Sequence, residues 1–160
     1  MDSPAQLARR LAEVLTPSSA IVCIGNELRG DDGAGVVIAR KLPASLPWKV
    51  FDTQTAPESF LGKIVAVRPA SVLLIDAVDL AAPAGTVRLV PAENITGQGP
   101  STHGPAPQAF LEMLKQLHPC PRWLLGIQPQ GLETGSGLSP PVAAAVGLIV
   151  QALRLAAQRA

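Results

Sequence analysis

The sequence predicts an α/β protein in which a mainly parallel sheet lies between layers of helices. Short apolar stretches rich in β-branched residues alternate along the chain with segments whose apolar residues recur at helical spacing. This alternation is typical of a parallel sheet covered by helices. The clearest strand is at residues 71–77, where residues 72–75 are all apolar and Asp76 follows them. Such a run is expected of a strand that is buried on both faces.

Each element has a signal of its own. Ser3 followed by Pro4 is a typical helix start, and the stretch behind it carries apolar residues at 7, 11, 14 and 15. Apolar or alternating stretches predict strands at residues 20–25, 48–52, 71–77, 86–90 and 122–127. We expect the strand at residues 86–90 to lie at an edge, as the one antiparallel strand. Further helices are predicted at residues 33–42, 57–65, 105–117 and 138–155.

The composition indicates one domain over residues 1–160. Hydrophobic residues make up 48% of the chain and charged residues 16%, which excludes disorder and gives enough apolar side chains for a core. The net charge is +1, and lysine and arginine do not cluster, so we expect no nucleic-acid partner.

No apolar run in the sequence approaches the roughly 20 residues of a bilayer span, and we expect no membrane partner. The first residues lack the apolar core of a signal peptide. Cys23 and Cys120 do not make a disulfide framework and are expected as free thiols. We therefore expect a cytoplasmic protein.

Two adjacent aspartates, Asp31 and Asp32, follow the first predicted strand and precede a helix. Ligands of open α/β sheets bind beyond the carboxyl ends of the strands, so both residues are candidates for a site. Asp31 alone could cap the helix, but one cap does not explain two carboxylates. A dinucleotide site requires G-x-G-x-x-G directly after the strand, and residues 23–28 do not supply it.

Two further strands also end near an aspartate, Asp52 and Asp76, and His103 lies in a long polar stretch at residues 91–104. One histidine and two carboxylates suit a divalent metal such as nickel or zinc. They also suit acid–base chemistry, because like charges held close push their pKa values apart. A single aspartate is more often a hydrogen-bonded loop residue, so the residue types alone leave these alternatives open.

The motifs show a resemblance to the nickel-iron hydrogenase maturation endopeptidases. The sequence at residues 23–35, CIGNELRGDDGAG, is similar to the first motif of that family. Further similarities follow in the family's order and span nearly the whole chain, at residues 51–58, 74–77, 101–103, 125–129 and 137–139. Gln128-Pro129 makes the pattern most similar to the branch that serves formate-hydrogenlyase-type hydrogenases.

The resemblance implies a twisted five-stranded sheet and a specific activity. A member of this family removes the C-terminal peptide from a hydrogenase large-subunit precursor after nickel insertion, so that precursor is the expected partner. The resemblance implies that Asp32, Asp76 and His103 coordinate metal, namely nickel supplied by the substrate, although other divalent metals can occupy such a site. Asp32 and Asp76 are then also the expected catalytic residues, and Asp31 and Asp52 are expected to contact substrate.

The sequence departs from the family pattern at two places. Cys23 replaces a common glycine, within the first strand, and Asp52-Thr53-Gln54 replaces an Asp-Gly-Gly pattern, which puts the geometry of the second loop in question. For the mechanism, either a carboxylate activates water as general base or a metal-bound water attacks. The chain has no H-E-x-x-H motif and no evident serine or cysteine triad.

The same residues are compatible with two rival functions. A nickel-binding assembly or checkpoint protein without cleavage activity could use the same three ligands. A small-molecule α/β hydrolase would process esters or amides without metal. Incubation with nickel-loaded precursor, followed by measurement of the precursor mass, separates these alternatives.

Overall fold

The computed structural model describes residues 2–95 and 107–160. Five strands form a single sheet: β1 (Ala20–Ile24), β2 (Lys49–Gln54), β3 (Val72–Ala77), β4 (Val87–Pro91) and β5 (Arg122–Ile127). The strand order is β2-β1-β3-β5-β4, and every neighbouring pair is parallel except β4 with β5. The predicted α/β class and the one antiparallel edge strand are therefore confirmed.

Helices cover both faces of this sheet. One face carries α1 (Pro4–Val14), α2 (Ala34–Lys41) and α5 (Pro140–Ala157), and the other carries α3 (Leu61–Ala66) and α4 (Pro107–Leu117). Alternate residues of each strand enter the two cores because successive side chains of a strand point to opposite faces. In β3, Leu73 and Ile75 join the core beneath α1 and α5, whereas Val72 and Leu74 join the core beneath α3 and α4.

The helix ends follow the sequence signals closely. Ser3 caps α1 through a complete capping box with Gln6, and Pro4 occupies the first turn, as predicted. Ser139 is the N-cap residue of α5, but its side chain makes no capping bond to that helix. Pro140 and Pro141 in the first turn have no N–H to donate to it.

Helix α5 is the one element of the described residues that is long and apolar enough, by length and composition, to cross a bilayer. It packs against α1 and α2, and its fully buried residues include Val142, Ile149 and Leu153. These contacts are those of a core helix in an α/β fold, and they explain its high hydropathy.

Candidate functional site

The carboxyl ends of β1, β2, β3 and β5 meet at one edge of the sheet because these strands run parallel. Asp52 lies in β2, Asp76 lies in β3, and Asp31 and Asp32 follow β1 in a 3₁₀ segment, Glu27–Gly33. The structure therefore confirms the prediction that Asp32, Asp52 and Asp76 lie at one edge of the sheet. His103 lies outside the described residues.

The segment after β1 turns back over the edge. The Asn26 side chain accepts a hydrogen bond from the backbone N–H of Leu28 at 3.0 Å and starts the turn. The backbone N–H of Asn26 donates to the carbonyl of Asp32 at 2.9 Å. Gly35 permits this return, since a Cβ there would lie 2.0 Å from the carbonyl oxygen of Ile24. Asp32 is thereby fixed close to the end of its own strand, and the segment contacts β3.

Asp32 and Asp76 are both buried carboxylates, with 0% and 2% of their surface exposed. Asp76 alternates with Leu74 along β3, so its side chain points to the face covered by α3 and α4. The neighbouring strand presents Gly126 opposite Asp76. Val78 folds over that glycine so closely that a Cβ there would lie 2.7 Å from the valine side chain.

Asp52 reaches the same edge but faces the other side of the sheet. Its Cα pairs with Cys23, whose side chain lies in the core beneath α1, α2 and α5, and parallel partners point to the same face. Burial raises the pKa of the Cys23 thiol, and the nearby Asp52 charge raises it further. The structure therefore places Asp32, in the segment after β1, and Asp76, in the adjacent strand β3, at one edge of the sheet, and the Asp52 side chain lies on the opposite face from Asp76.

Asp31 is tied to a loop far along the chain. Its carboxylate accepts hydrogen bonds from the backbone N–H of Gln130 at 2.7 Å, of Gly131 at 3.1 Å and of Ser139 at 2.6 Å. The Ser139 hydroxyl donates a fourth bond at 2.8 Å. We call this group, Asp31 with Gln130, Gly131 and Ser139, the Asp31 latch. It does not cap α2, whose first turn has no side-chain cap.

The charge of Asp31 is stabilised where it lies. Burial by itself would raise the pKa of this carboxyl group, but the bonds from Ser139, Gln130 and Gly131 outweigh it and the pKa is lowered. The substrate contact expected of Asp31 stays a prediction. The structure shows that both of its oxygens already accept bonds from the protein.

Sequence reasoning did not assign a role to the latch partners or to Gln128. The Gln128 side chain accepts a bond from the backbone N–H of Leu80 at 2.6 Å and so holds the segment after β3. The available signals were the family-like motifs at residues 125–129 and 137–139, which contain Gln128 and Ser139, whereas Gln130 and Gly131 lie between these motifs.

Known proteins match this chain in sequence and in fold. The HycI hydrogenase maturation protease family matches residues 37–155. The hydrogenase 3 maturation protease of Escherichia coli K12 is 30% identical over 139 residues, which cover 85% of this chain and 88% of that protein. The chain belongs to the hydrogenase maturation protease family.

Solved structures of this family share the fold. The solution structure of the endopeptidase HycI from Escherichia coli has a TM-score of 0.76 at 30% identity, covering 89% of this chain and 92% of that one. The crystal structure of the [NiFe] hydrogenase maturation protease HycI from Thermococcus kodakarensis KOD1 has a TM-score of 0.75 at 27% identity, covering 91% and 99%. The family membership and the α/β class predicted from the sequence are thus confirmed, and the chain is a peptidase of this family.

The site offers oxygen ligands for part of a metal coordination shell. In residues 2–95 and 107–160, no group of three histidine, cysteine, aspartate or glutamate residues is placed to hold a metal. The two buried carboxylates, Asp32 and Asp76, are oxygen donors of the kind that a divalent cation accepts. A divalent cation held by this pair would need further ligands from outside the described residues.

Proposed function

We propose that this peptidase removes the C-terminal peptide from a nickel-iron hydrogenase large-subunit precursor after nickel has been inserted. The observation that carries the proposal is a pair of buried carboxylates at the carboxyl edge of a hydrogenase maturation protease fold. Asp76 lies in β3, and Asp32 lies in the segment that follows the adjacent parallel strand β1. The relative from Escherichia coli K12 is named a hydrogenase 3 maturation protease. The proposed substrate is therefore a protein whose own nickel site reaches this edge of the sheet.

In the proposed reaction, a water molecule attacks the scissile carbonyl. Asp32 or Asp76 accepts the proton from that water as general base and later returns it to the leaving amine. Nickel bound to the precursor would orient the cleavage site against the two carboxylates and polarise its carbonyl oxygen. The burial of both side chains strengthens such electrostatic effects because little water screens them.

We propose His103 as the third nickel ligand. It precedes α4 by a short stretch of chain, and α4 covers the face to which Asp76 points. An imidazole beside two carboxylates is a suitable ligand set for nickel. Since the nickel ligands of the substrate are missing from the free enzyme, we expect the free enzyme to bind nickel weakly.

The deciding experiment compares nickel-loaded and nickel-free precursor with the same enzyme, read by the mass of the precursor. We expect the mass to fall by that of the C-terminal peptide only with the nickel-loaded form. Equal cleavage of both forms would show that nickel is not the recognition signal. Stable binding of the loaded precursor without a change in mass would instead support the checkpoint function.

A second measurement tests the ligand set. Isothermal titration of nickel into the enzyme should show weak binding that His103→Ala abolishes. His118→Ala is the matched control, because His118 is hydrogen-bonded to the carbonyl of Pro69, at the opposite edge of the sheet. Unchanged nickel affinity in the His103 variant would refute that assignment.

A further inference from the structure

We infer that the two adjacent aspartates divide the work of the site: Asp31 is a positioning residue that holds Asp32 over the carboxyl end of β3. The inference rests on the proposed function for its activity measurement, and it rests on the geometry alone for its second measurement.

The position of the latch in the sheet is the first argument. Strand β3 lies between β1 and β5. Asp31 follows β1, whereas Gln130, Gly131 and Ser139 follow β5. The four hydrogen bonds of the latch therefore join the two segments that flank the end of β3, where Asp76 lies.

Backbone contacts reinforce the same junction. The N–H of Asp31 donates to the carbonyl of Gly131 at 3.0 Å, and the N–H of Gly135 donates to the carbonyl of Leu28 at 3.0 Å. Gly30 has a φ of 58° and packs so closely that a Cβ would lie 2.8 Å from the carbonyl oxygen of Gly131. Residues 28–31 are therefore bound at several points to a loop about one hundred residues away.

The chemistry of the latch requires a carboxylate. All four groups around Asp31 are donors, and an ionised carboxylate only accepts. Ser139 contributes both its N–H and its hydroxyl, and its side chain makes no capping bond to α5. Asp31 also lies at the N-terminus of α5, an 18-residue helix, whose dipole favours a negative charge.

Asparagine at this position has nearly the same shape as aspartate, but it has an NH₂ donor where aspartate has a second acceptor oxygen. That NH₂ group would face the N–H and O–H donors of the latch, so part of the hydrogen bonding would be lost. Asp32 would remain in the chain with its carboxylate intact but would lose the tie that fixes its segment. The expected result is a folded enzyme with a displaced Asp32.

The experiment measures kcat and KM of Asp31→Asn on nickel-loaded precursor, at a temperature where circular dichroism shows the variant to be folded. We expect kcat to fall about 10- to 100-fold, as for displacement of a catalytic group by about 1 Å, with KM changed less than about twofold. Ser139→Ala, which removes one of the four bonds, should show a smaller loss. Asp79→Asn is the matched control, because the exposed Asp79 at the same edge bonds the N–H of Ala81 within its own loop, and its kcat should not change.

Amide hydrogen exchange provides the readout that needs no activity. The N–H of Asn26 bonds the carbonyl of Asp32 and so reports the position of that residue. In Asp31→Asn we expect faster exchange at Asn26 as well as at Gln130, Gly131 and Ser139. Faster exchange at the last three alone, with kcat unchanged, would overturn the inference and leave Asp31 a purely structural residue.

The remaining outcomes are also decisive. A large rise in KM with kcat unchanged would overturn positioning in favour of direct substrate contact by Asp31. If the wild-type enzyme cleaves no precursor, the proposed function fails, and the exchange of Asn26 alone decides whether Asp31 positions Asp32.

Discussion

The segment after β1 and the end of β2 lie side by side at the carboxyl edge of the sheet, but their backbones are held in different ways. After β1, the positive φ falls on Gly30, and hydrogen bonds from a distant loop fix the segment. At the end of β2, the residue with a positive φ is Gln54, at 50°, and the strand pairing shifts by one residue between Cys23 and Ile24.

The segment after β1 is thus held by long-range hydrogen bonds, whereas the end of β2 has a side chain on a residue with unfavourable backbone angles. A side chain at positive φ is unfavourable by about 1–2 kcal/mol relative to glycine. This cost applies at Gln54, whereas the glycine at position 30 avoids it. The departure from the family's Asp-Gly-Gly pattern therefore puts a side chain, that of Gln54, on the residue with a positive φ. Asp52, in the same strand, lies on the face away from Asp76.

The largest expected contrast is between Asp32→Asn and Asp52→Asn. In the proposed function Asp32 acts as base or nickel ligand, so its substitution should lower kcat on nickel-loaded precursor by at least about 100-fold. Asp52→Asn should leave kcat within about threefold and change mainly KM, because its side chain faces the other side of the sheet. Steady-state kinetics of both variants checks the contrast. An equal loss of kcat in both variants would contradict the different roles given to Asp32 and Asp52.

Gly30→Ala should be strongly destabilising. The methyl group would meet the Ser136 hydroxyl at 2.7 Å and the Gly131 carbonyl at 2.8 Å, at a φ of 58°. We expect a loss of about 2–3 kcal/mol in the free energy of unfolding, measured by urea denaturation. The control is Gly62→Ala, because nothing lies within 4 Å of a Cβ at that position. An equal effect of the two substitutions would contradict the tight packing assigned to Gly30.

Thr53→Val tests how the shifted pairing between β1 and β2 is held. The buried Thr53 hydroxyl donates to the carbonyl of Cys23 at 3.0 Å, and valine keeps the shape but not the bond. We expect the free energy of unfolding to fall by about 1 kcal/mol. Thr86→Val, which removes an exposed hydroxyl bond to Pro83, should cost less; the reverse order would contradict the role given to Thr53.

Gln54→Gly should give the smallest effect, and it has the opposite sign. Relief of the positive φ contributes about 1–2 kcal/mol, while the added freedom of glycine in the unfolded chain opposes it by about 0.5–1 kcal/mol. A net gain of about 0.5 kcal/mol is expected in thermal or urea unfolding. A loss of stability would show that the Gln54 side chain makes contacts that outweigh its backbone strain.

Most of the fold could be predicted because its signals are local. The apolar run before Asp76 and the Ser3-Pro4 helix start each depend on neighbouring residues, and the observed bounds of β3 and α1 agree with them. The 3₁₀ segment at Glu27–Gly33 could not be predicted, because its turn depends on contacts with residues 131–136.

The candidate site could be predicted only in part. Strand order places Asp32 and Asp76 together once the sheet is known to be parallel, and the family motif supports the same pair. The partners of Asp31 follow it by about one hundred residues, and no local pattern encodes such a bond. The face of Asp52 depends on the register with β1, where one extra residue is enough to change which side chains meet.

The sequence separation within the Asp31 latch also has a consequence for synthesis of the protein. A ribosome delivers the chain from its N-terminus, so Asp32 and Asp76 emerge well before Ser139 is made. The chain must be synthesised through β5, the loop that follows it and the start of α5 before the Asp31 carboxylate can accept its four hydrogen bonds. The nascent chain thus carries both acidic groups while the Asp31 carboxylate still lacks its partners, and the latch can form only after Ser139 has been added.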